Sequence, residues 1–355
     1  MGWSFPLGRL FGSEVRVHAT FFLLLAWIGG AAWLTGGPAA AAANVAFVLA
    51  LFACVLAHEY GHALMARRYG IATPDITLLP IGGLARLERL PEEPGREIAV
   101  ALAGPAVNVV IAAVLLALGA NPMAGAGVED AGAGFLDRLA AVNIFLVLFN
   151  MIPAFPMDGG RVLRAVLAAG LGRARATRLA ALAGQTVAFG FAILGLLSGN
   201  VILVIIAVFI WFAAGSESAD TALREAARGL MARDAMITAF EALRSDDTLD
   251  AAATALIRTT QHEFPVVDGS GTLAGFLTRA ALLRALAEGS RATPVAAAMD
   301  ADVPTVPLGA RLDAAMDAMN RARAPAVGVT DRDGRLLGYI TPENLGELML
   351  VRRKA

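Results

Sequence analysis

Three ionisable side chains interrupt an apolar stretch of the chain: His58, Glu59 and His62, within AHEYGHALMARRYG (57–70). On a helix of 3.6 residues per turn, His58 and His62 project from one face, one turn apart and within reach of one ion. Glu59 lies beside them and need not bind it. The arrangement is H-E-x-x-H, in which two imidazoles hold zinc and the carboxylate acts as general base. The chain has 4 histidines in all, so two of them at this spacing are not an accident of composition. A pair of buried structural histidines also fits the spacing, but an unpaired Glu inside a membrane span is costly.

A catalytic zinc takes three protein ligands and a water. The candidate for the third is Asp158, in NMIPAFPMDGGRVL (150–163), where an apolar stretch ends. Pro153 and Pro156 break a helix, and Gly159-Gly160 permits unusual backbone angles. Such backbone at membrane depth must be buried in protein or line a wet cavity. Taken alone, Asp158 reads better as a cap for the helix that follows. Its place at the same side of the membrane as HEYGH favours ligation.

The elements that must position these groups are membrane spans. The 355 residues are 57% hydrophobic and 17% charged, with a mean hydropathy of +0.64. That is too apolar for an ordinary soluble protein. A span needs about 20 mostly apolar residues, and six stretches qualify: roughly 18–34, 44–66, 98–119, 136–156, 178–197 and 200–214. The last is short. The first lacks a small-residue cleavage site and reads as an uncleaved span. The net charge of −1 argues against nucleic acid as a partner, and the lone Cys54 excludes an internal disulfide.

Basic residues sort the loops. Arg9 and Arg16 precede the first span. Arg67, Arg68, Arg86, Arg89 and Arg96 follow the second, and Arg161, Arg164, Arg173 and Arg175 lie between the fourth and fifth. Arg224 and Arg228 follow the sixth, while 35–43, 120–135 and 198–199 carry no Lys or Arg. The expected topology is a multi-pass protein of the cell membrane, of bacterial inner-membrane type, with both termini cytoplasmic. Residues 1–215 then form the membrane domain, 216–229 a linker helix, and 230–355 a soluble domain.

Two further segments bear on the site. DITLLPIGGLARLERL (75–90) has strand-like apolar residues and a turn signal at Gly82-Gly83. It predicts a β-hairpin whose edge pairs with an unwound substrate by β-addition, with a plain cytoplasmic loop as the alternative. Gly82 and Gly83 are therefore candidate substrate-positioning residues. AGPAVN (103–108) either permits close helix packing through Gly104 and Pro105 or places Asn108 at the site. His18, at the start of the first span, reads as interfacial and receives no role.

HEYGH, AGPAVN and NMIPAFPMDGG, in this order and topology, resemble the site-2 protease family of intramembrane zinc metalloproteases, over roughly residues 15–215. The resemblance implies zinc ligands His58, His62 and Asp158, with Glu59 catalytic. It also implies that Asn150 and Asn108 position the substrate or the site. The implied partner is a transmembrane protein substrate, cut within its membrane segment.

The soluble tail repeats itself at an offset of 63. HEFPVVDGSGTLAGFLT (262–278) matches PAVGVTDRDGRLLGYIT (325–341), with Asp268, Gly271, Leu273, Gly275 and Thr278 on Asp331, Gly334, Leu336, Gly338 and Thr341. Each unit, about 230–290 and 293–355, reads helix, strand, turn, strand, helix. Finding the repeat fixes the architecture better than local propensity does. The pattern is similar to a tandem CBS module, of α/β fold. That resemblance implies ATP or another adenine nucleotide as ligand, with Thr278, Thr341 and Asn344 as contacts, and possible pairing of chains through these domains. Ala281 stands where the first repeat would need the partner of Asn344. His262 reads as a surface residue. The fold class expected overall is a polytopic α-helical membrane protein of about six transmembrane helices, with the membrane-embedded β-hairpin that the site-2 protease resemblance implies, and a cytosolic α/β CBS pair. A CBS-regulated transporter or channel is the alternative, and would spread polar residues along several spans.

Overall fold

The fold is that of a computed structural model, described for residues 3–80, 82–88, 91, 93–124, 134–227 and 229–352. Arg89 and Arg228, used above for orientation, lie outside the described residues, as do parts of the expected hairpin and of loop 120–135. The chain divides into two compact units, Met1–Thr221 and Ala222–Ala355.

The first unit opens with strands β1 (Ser4–Leu10) and β2 (Ser13–His18), then helix α1 (Ala19–Arg68). His18 has a defined part after all: its side chain caps α1, accepting from the Thr20 N–H. The two expected spans 18–34 and 44–66 both lie in α1. Gly37, at φ 72° and ψ −168°, is non-helical, and Pro38 follows it. The Phe21 and Phe52 rings meet at 4.6 Å, whereas an unbroken helix would hold them about 46 Å apart. The chain therefore turns back near Gly37, where Pro38 cannot donate to the helical ladder.

After α1 come β3 (Asp75–Leu79) and β4 (Gly82–Arg86). The expected hairpin exists, but it is half of a four-stranded sheet of order β1-β2-β3-β4, with β2 and β3 parallel. The N-terminal strands carried no motif and were missed. Gly82 and Gly83 are not the turn; they open β4, paired with Leu79 and Leu78.

Helix α2 (Pro94–Ala117) starts with proline in its first turn, where no N–H is needed. Helix α3 (Phe135–Asn150) has 16 residues, about 24 Å. The fourth expected span therefore stops at Asn150, six residues early, and 151–157 run as an irregular segment. Ala154, Phe155 and Met157 are buried there, and Phe155 N–H donates to the Ala180 carbonyl. The segment meets the condition for broken backbone in an apolar layer. It leads into α4 (Asp158–Leu171), followed by α5 (Arg173–Ser198) and α6 (Val201–Ala227). The sixth span is not short: the helix begun at Val201 runs on through most of 216–229. Four helices, α1, α2, α5 and α6, are long and apolar enough to cross a membrane among the described residues.

The second unit is the repeat. Strand β5 (Leu243–Arg244), α7 (Leu249–Arg258), β6 (Glu263–Val267), β7 (Leu273–Thr278) and α8 (Arg279–Glu288) form the first half. Strand β8 (Thr305–Pro307), α9 (Leu312–Ala322), β9 (Val327–Thr330), β10 (Leu336–Ile340) and α10 (Pro342–Arg352) form the second. Each half has a three-stranded sheet and its own apolar core, around Leu249, Phe264 and Leu282 in one and Leu312, Val329 and Ile340 in the other. The halves cross-link through backbone bridges, Ile237 with Tyr339 and Phe276 with Asp300.

Candidate metal centre

His58 and His62 stand on the second arm of α1, and Asp158 is the first residue of α4. The two Nε2 atoms are 3.0 Å apart, and each lies 3.2 Å from Asp158 Oδ2. All three residues are buried. Asp158 does not cap α4; its N-cap is Met157, which offers no side-chain bond. The carboxylate turns to the histidines instead.

The far side of each imidazole is already committed. His58 Nδ1–H donates to Asn108 Oδ1 at 2.5 Å, and His62 Nδ1–H donates to the Val100 carbonyl at 2.7 Å. Asn108 is held in turn, its amide donating to Asn143 Oδ1 at 2.8 Å, and Asn143 donates to the Leu139 carbonyl. The amide of Asn108 cannot flip without losing Asn143, so its oxygen stays on His58. In neutral imidazoles these bonds place the proton on Nδ1 of both rings, which leaves the Nε2 lone pairs facing the carboxylate. Three acceptors at this separation, buried and with no donor among them, repel one another unless a cation lies between them. Ligands about 2.0–2.1 Å from a tetrahedral zinc stand roughly 3.3 Å apart, close to the spacing seen. The donor set of two His and one carboxylate is that of a catalytic zinc site with a position left for water.

Space at this point is made by Gly104 of α2. A Cβ there would stand 2.7 Å from His58 Nε2 and 2.6 Å from His62 Cε1. The close-packing role expected of AGPAVN is thus a clearance for the histidines themselves. Glu59 points to the sheet. Its Oε2 accepts from the Ala85 N–H of β4 at 3.3 Å, and a Cβ on Gly83 would lie 2.5 Å from its Cγ. Tyr60, between the motif's two halves, donates to the Leu10 carbonyl at 3.1 Å and so ties α1 to the β1–β2 turn.

The expected residues divide accordingly. His58, His62 and Asp158 converge; Glu59 and Gly83 adjoin one another. Asn108 meets His58 and is fully buried. Asn150 is the last residue of α3, and its amide donates to the Leu146 carbonyl at 3.0 Å. Gly82 begins β4 with no close neighbour. Asn143 and the Val100 carbonyl were not foreseen: Asn143 belongs to no motif, and a backbone group leaves no mark in sequence. The buried polar residues His58, His62, Asn108, Asn143 and Asp158 gather at one place.

In the second unit, Thr278 caps α8 by accepting from Ala281 N–H at 3.1 Å, and Thr341 accepts from Asn344 N–H at 3.1 Å. Asn344 Oδ1 is buried with no hydrogen-bond partner. His262 is exposed, with Nδ1 3.4 Å from Glu343.

Comparison with known proteins agrees with both halves. Residues 46–131 and 123–197 match the model of peptidase family M50, and 232–288 and 295–349 each match the CBS domain. A zinc metalloprotease of Methanocaldococcus jannaschii, MJ0392, is 34% identical over 78% of this chain and 78% of its own length. Rip3 of Mycobacterium tuberculosis is 31% identical over 99% of this chain and 94% of its own. The solved structure of the Methanocaldococcus jannaschii site-2 protease is 35% identical, with a TM-score of 0.47 over 61% of this chain and 95% of that one. Kinship along nearly the whole length, together with the two-histidine helix and its distant aspartate, places the chain in peptidase family M50 as a membrane zinc metalloprotease of the site-2 protease type with a C-terminal CBS pair.

Proposed function

We propose that this protein is an intramembrane endopeptidase that cuts transmembrane segments of other membrane proteins, with His58, His62 and Asp158 as zinc ligands and Glu59 as the general base. The observation that carries the reading is the convergence of three bare acceptor atoms within 3.2 Å in a buried site. Zinc bound there supplies Lewis-acid polarisation of the scissile carbonyl and a water of lowered pKa. Glu59 takes a proton from the attacking water and returns it to the departing amide nitrogen. Asn108 and the Val100 carbonyl keep the imidazoles in the tautomer that leaves Nε2 free. Gly104 keeps the space open.

A helical substrate shields its own peptide bonds and must be extended before it is cut. The β4 edge offers a template. Ala85 gives its N–H to Glu59 rather than to β3, so by strand alternation Gly83 and Ala85 are the residues of β4 facing away from the sheet. An added substrate strand there would lie against Glu59, with Gly82 and Gly83 at its entry. Asn150, at the mouth of the segment leading to Asp158, is the remaining candidate for substrate contact. The distribution of arginines supports a multi-pass orientation with both termini cytoplasmic. In the CBS pair, Thr341 and the unpartnered Asn344 Oδ1 support an adenine-nucleotide site in the second repeat, with Thr278 its weaker counterpart. CBS pairing between chains would make the protein a homo-oligomer.

The test is Glu59→Gln in the full-length protein, reconstituted with a single-span substrate. The expected result is a loss of cleavage of about 10²–10⁴-fold with zinc still bound at one ion per chain. Cleavage at the wild-type rate would remove Glu59 from the chemistry. A wild-type protein that binds no stoichiometric zinc would overturn the metal site.

A further inference from the structure

A second buried polar cluster lies close to the metal centre and takes no part in the chemistry above. At its middle is Arg164 of α4, with 0% of its surface exposed. Its Nε donates to Glu97 Oε1 at 2.6 Å and its Nη1 to Glu217 Oε1 at 2.6 Å. Nη2 makes a charge contact with Glu97 Oε1 at 2.5 Å. Arg173 Nη1 stands 3.6 Å from Glu97 Oε2. Among the described residues, two guanidinium groups thus face two carboxylates, the pairing that burial of charge calls for.

What matters is where these residues stand in the chain. Glu97 precedes Val100 by one turn of α2, and the Val100 carbonyl holds His62. Arg164 follows Asp158 on α4. Its guanidinium also lies over the Phe155 ring, 5.0 Å from the centroid, three residues before Asp158. The planar fork therefore grips the chain on both sides of the aspartate and ties it to the helix that orients a histidine. Replacing a whole buried ion cluster by aliphatic side chains of similar volume is often neutral for stability, so the contribution of these charges is to fix one register. The third arm is Glu217 of α6. Further along α6, Leu223 and Ala227 pack in the core of the second CBS repeat.

We propose that Arg164 is the positioning residue for Asp158, holding it against His58 and His62, and that Glu217 is the point through which α6 bears on the metal site. The proposal rests on the zinc-site reading above. It is tested by zinc competition against a chelator in the detergent-solubilised full-length protein, with the visible spectrum of the cobalt-loaded form as a second readout. Arg164→Leu is expected to raise the zinc Kd 10–100-fold, as loss of an outer-sphere partner does, and to change the cobalt spectrum as Asp158 shifts. Arg164→Lys keeps the charge but loses the fork, and should recover part of the affinity. Glu217→Gln should raise the Kd by a smaller factor. Should Arg164→Leu fail to fold, the other two variants carry the test. Wild-type Kd and spectrum in both Arg164→Lys and Glu217→Gln would overturn the proposal. So would an Arg164→Leu protein of lowered thermal stability with unchanged zinc affinity. Absence of zinc binding in the wild type would instead overturn the reading beneath it.

Discussion

Asp158 and the two threonines Thr278 and Thr341 stand at comparable places, each where a helix begins, and they are used in opposite ways. Thr278 spends its hydroxyl on the N–H of Ala281, and Thr341 on that of Asn344. Both are ordinary caps. Asp158 gives nothing to α4 and turns its carboxylate to two imidazoles. A polar side chain that serves its own helix is explained by the fold. One that forgoes the cap, in a buried site, is explained only by what it meets. The candidate metal centre passes this criterion. In the second unit, among the described residues, the feature left unexplained by the fold is Asn344, whose buried Oδ1 has no hydrogen-bond partner.

The comparison breaks first if the metal centre does not depend on its clearance. Gly104→Ala puts a methyl 2.7 Å from His58 Nε2 and closer still to His62 Nε2. The helix backbone cannot retreat far, because the same stretch of α2 holds Asn108 and the Val100 carbonyl. The expected outcome is loss of stoichiometric zinc, read by metal analysis, and with it all measurable proteolysis, in a protein that still folds. Zinc at one ion per chain in this variant would mean that the histidines are not where the ion sits.

A smaller effect separates the proposed base from the proposed ligands. Gly83→Ala brings a methyl to 2.5 Å from Glu59 Cγ and 3.0 Å from its Oε1. Glu59 must swing away, while His58, His62 and Asp158 are untouched. Cleavage should fall about a hundredfold, the lower end of what a positioned base contributes, with zinc content unchanged. Equal loss of zinc would show that the strand holds the ligands too, and would merge the two roles distinguished here.

Much of this centre was legible because its residues are chemically expensive. His58, Glu59, His62 and Asp158 stand out against an apolar background, and the repeat stands out by self-similarity. What was not legible has three physical sources. Backbone groups such as the Val100 carbonyl are invisible in sequence. The role of Gly104 is an absence of atoms. Arg164 was misread for a more interesting reason: counted among the loop charges that set orientation, it is one of the most deeply buried side chains of the chain. Charge near a span end reads as solvent-facing by default, and only Glu97 and Glu217, distant in sequence, reveal the pairing. Strands β1 and β2 do leave a signal, Val15 and Val17 alternating with Glu14 and Arg16 after the Phe11-Gly12 turn, but this stretch is read above only for its charges.

The finest distinction is between the two repeats. As caps, Thr278 and Thr341 should be equivalent, and Thr278→Val and Thr341→Val should each cost about 1 kcal/mol. Hydrogen exchange at the first turns of α8 and α10 in the full-length protein would register this. Adenine nucleotide should part them. With AMP added, wild type and Thr278→Val should gain protection around α10, while Thr341→Val gains little, since only the second repeat pairs its threonine with an amide side chain. Ala281, in the matching place of the first repeat, offers a methyl and no donor or acceptor. Equal loss of AMP protection in both variants would mean that the two repeats are equivalent despite this asymmetry. No AMP effect in the wild type would leave both threonines as caps and nothing more, and the contrast with Asp158 would then be complete.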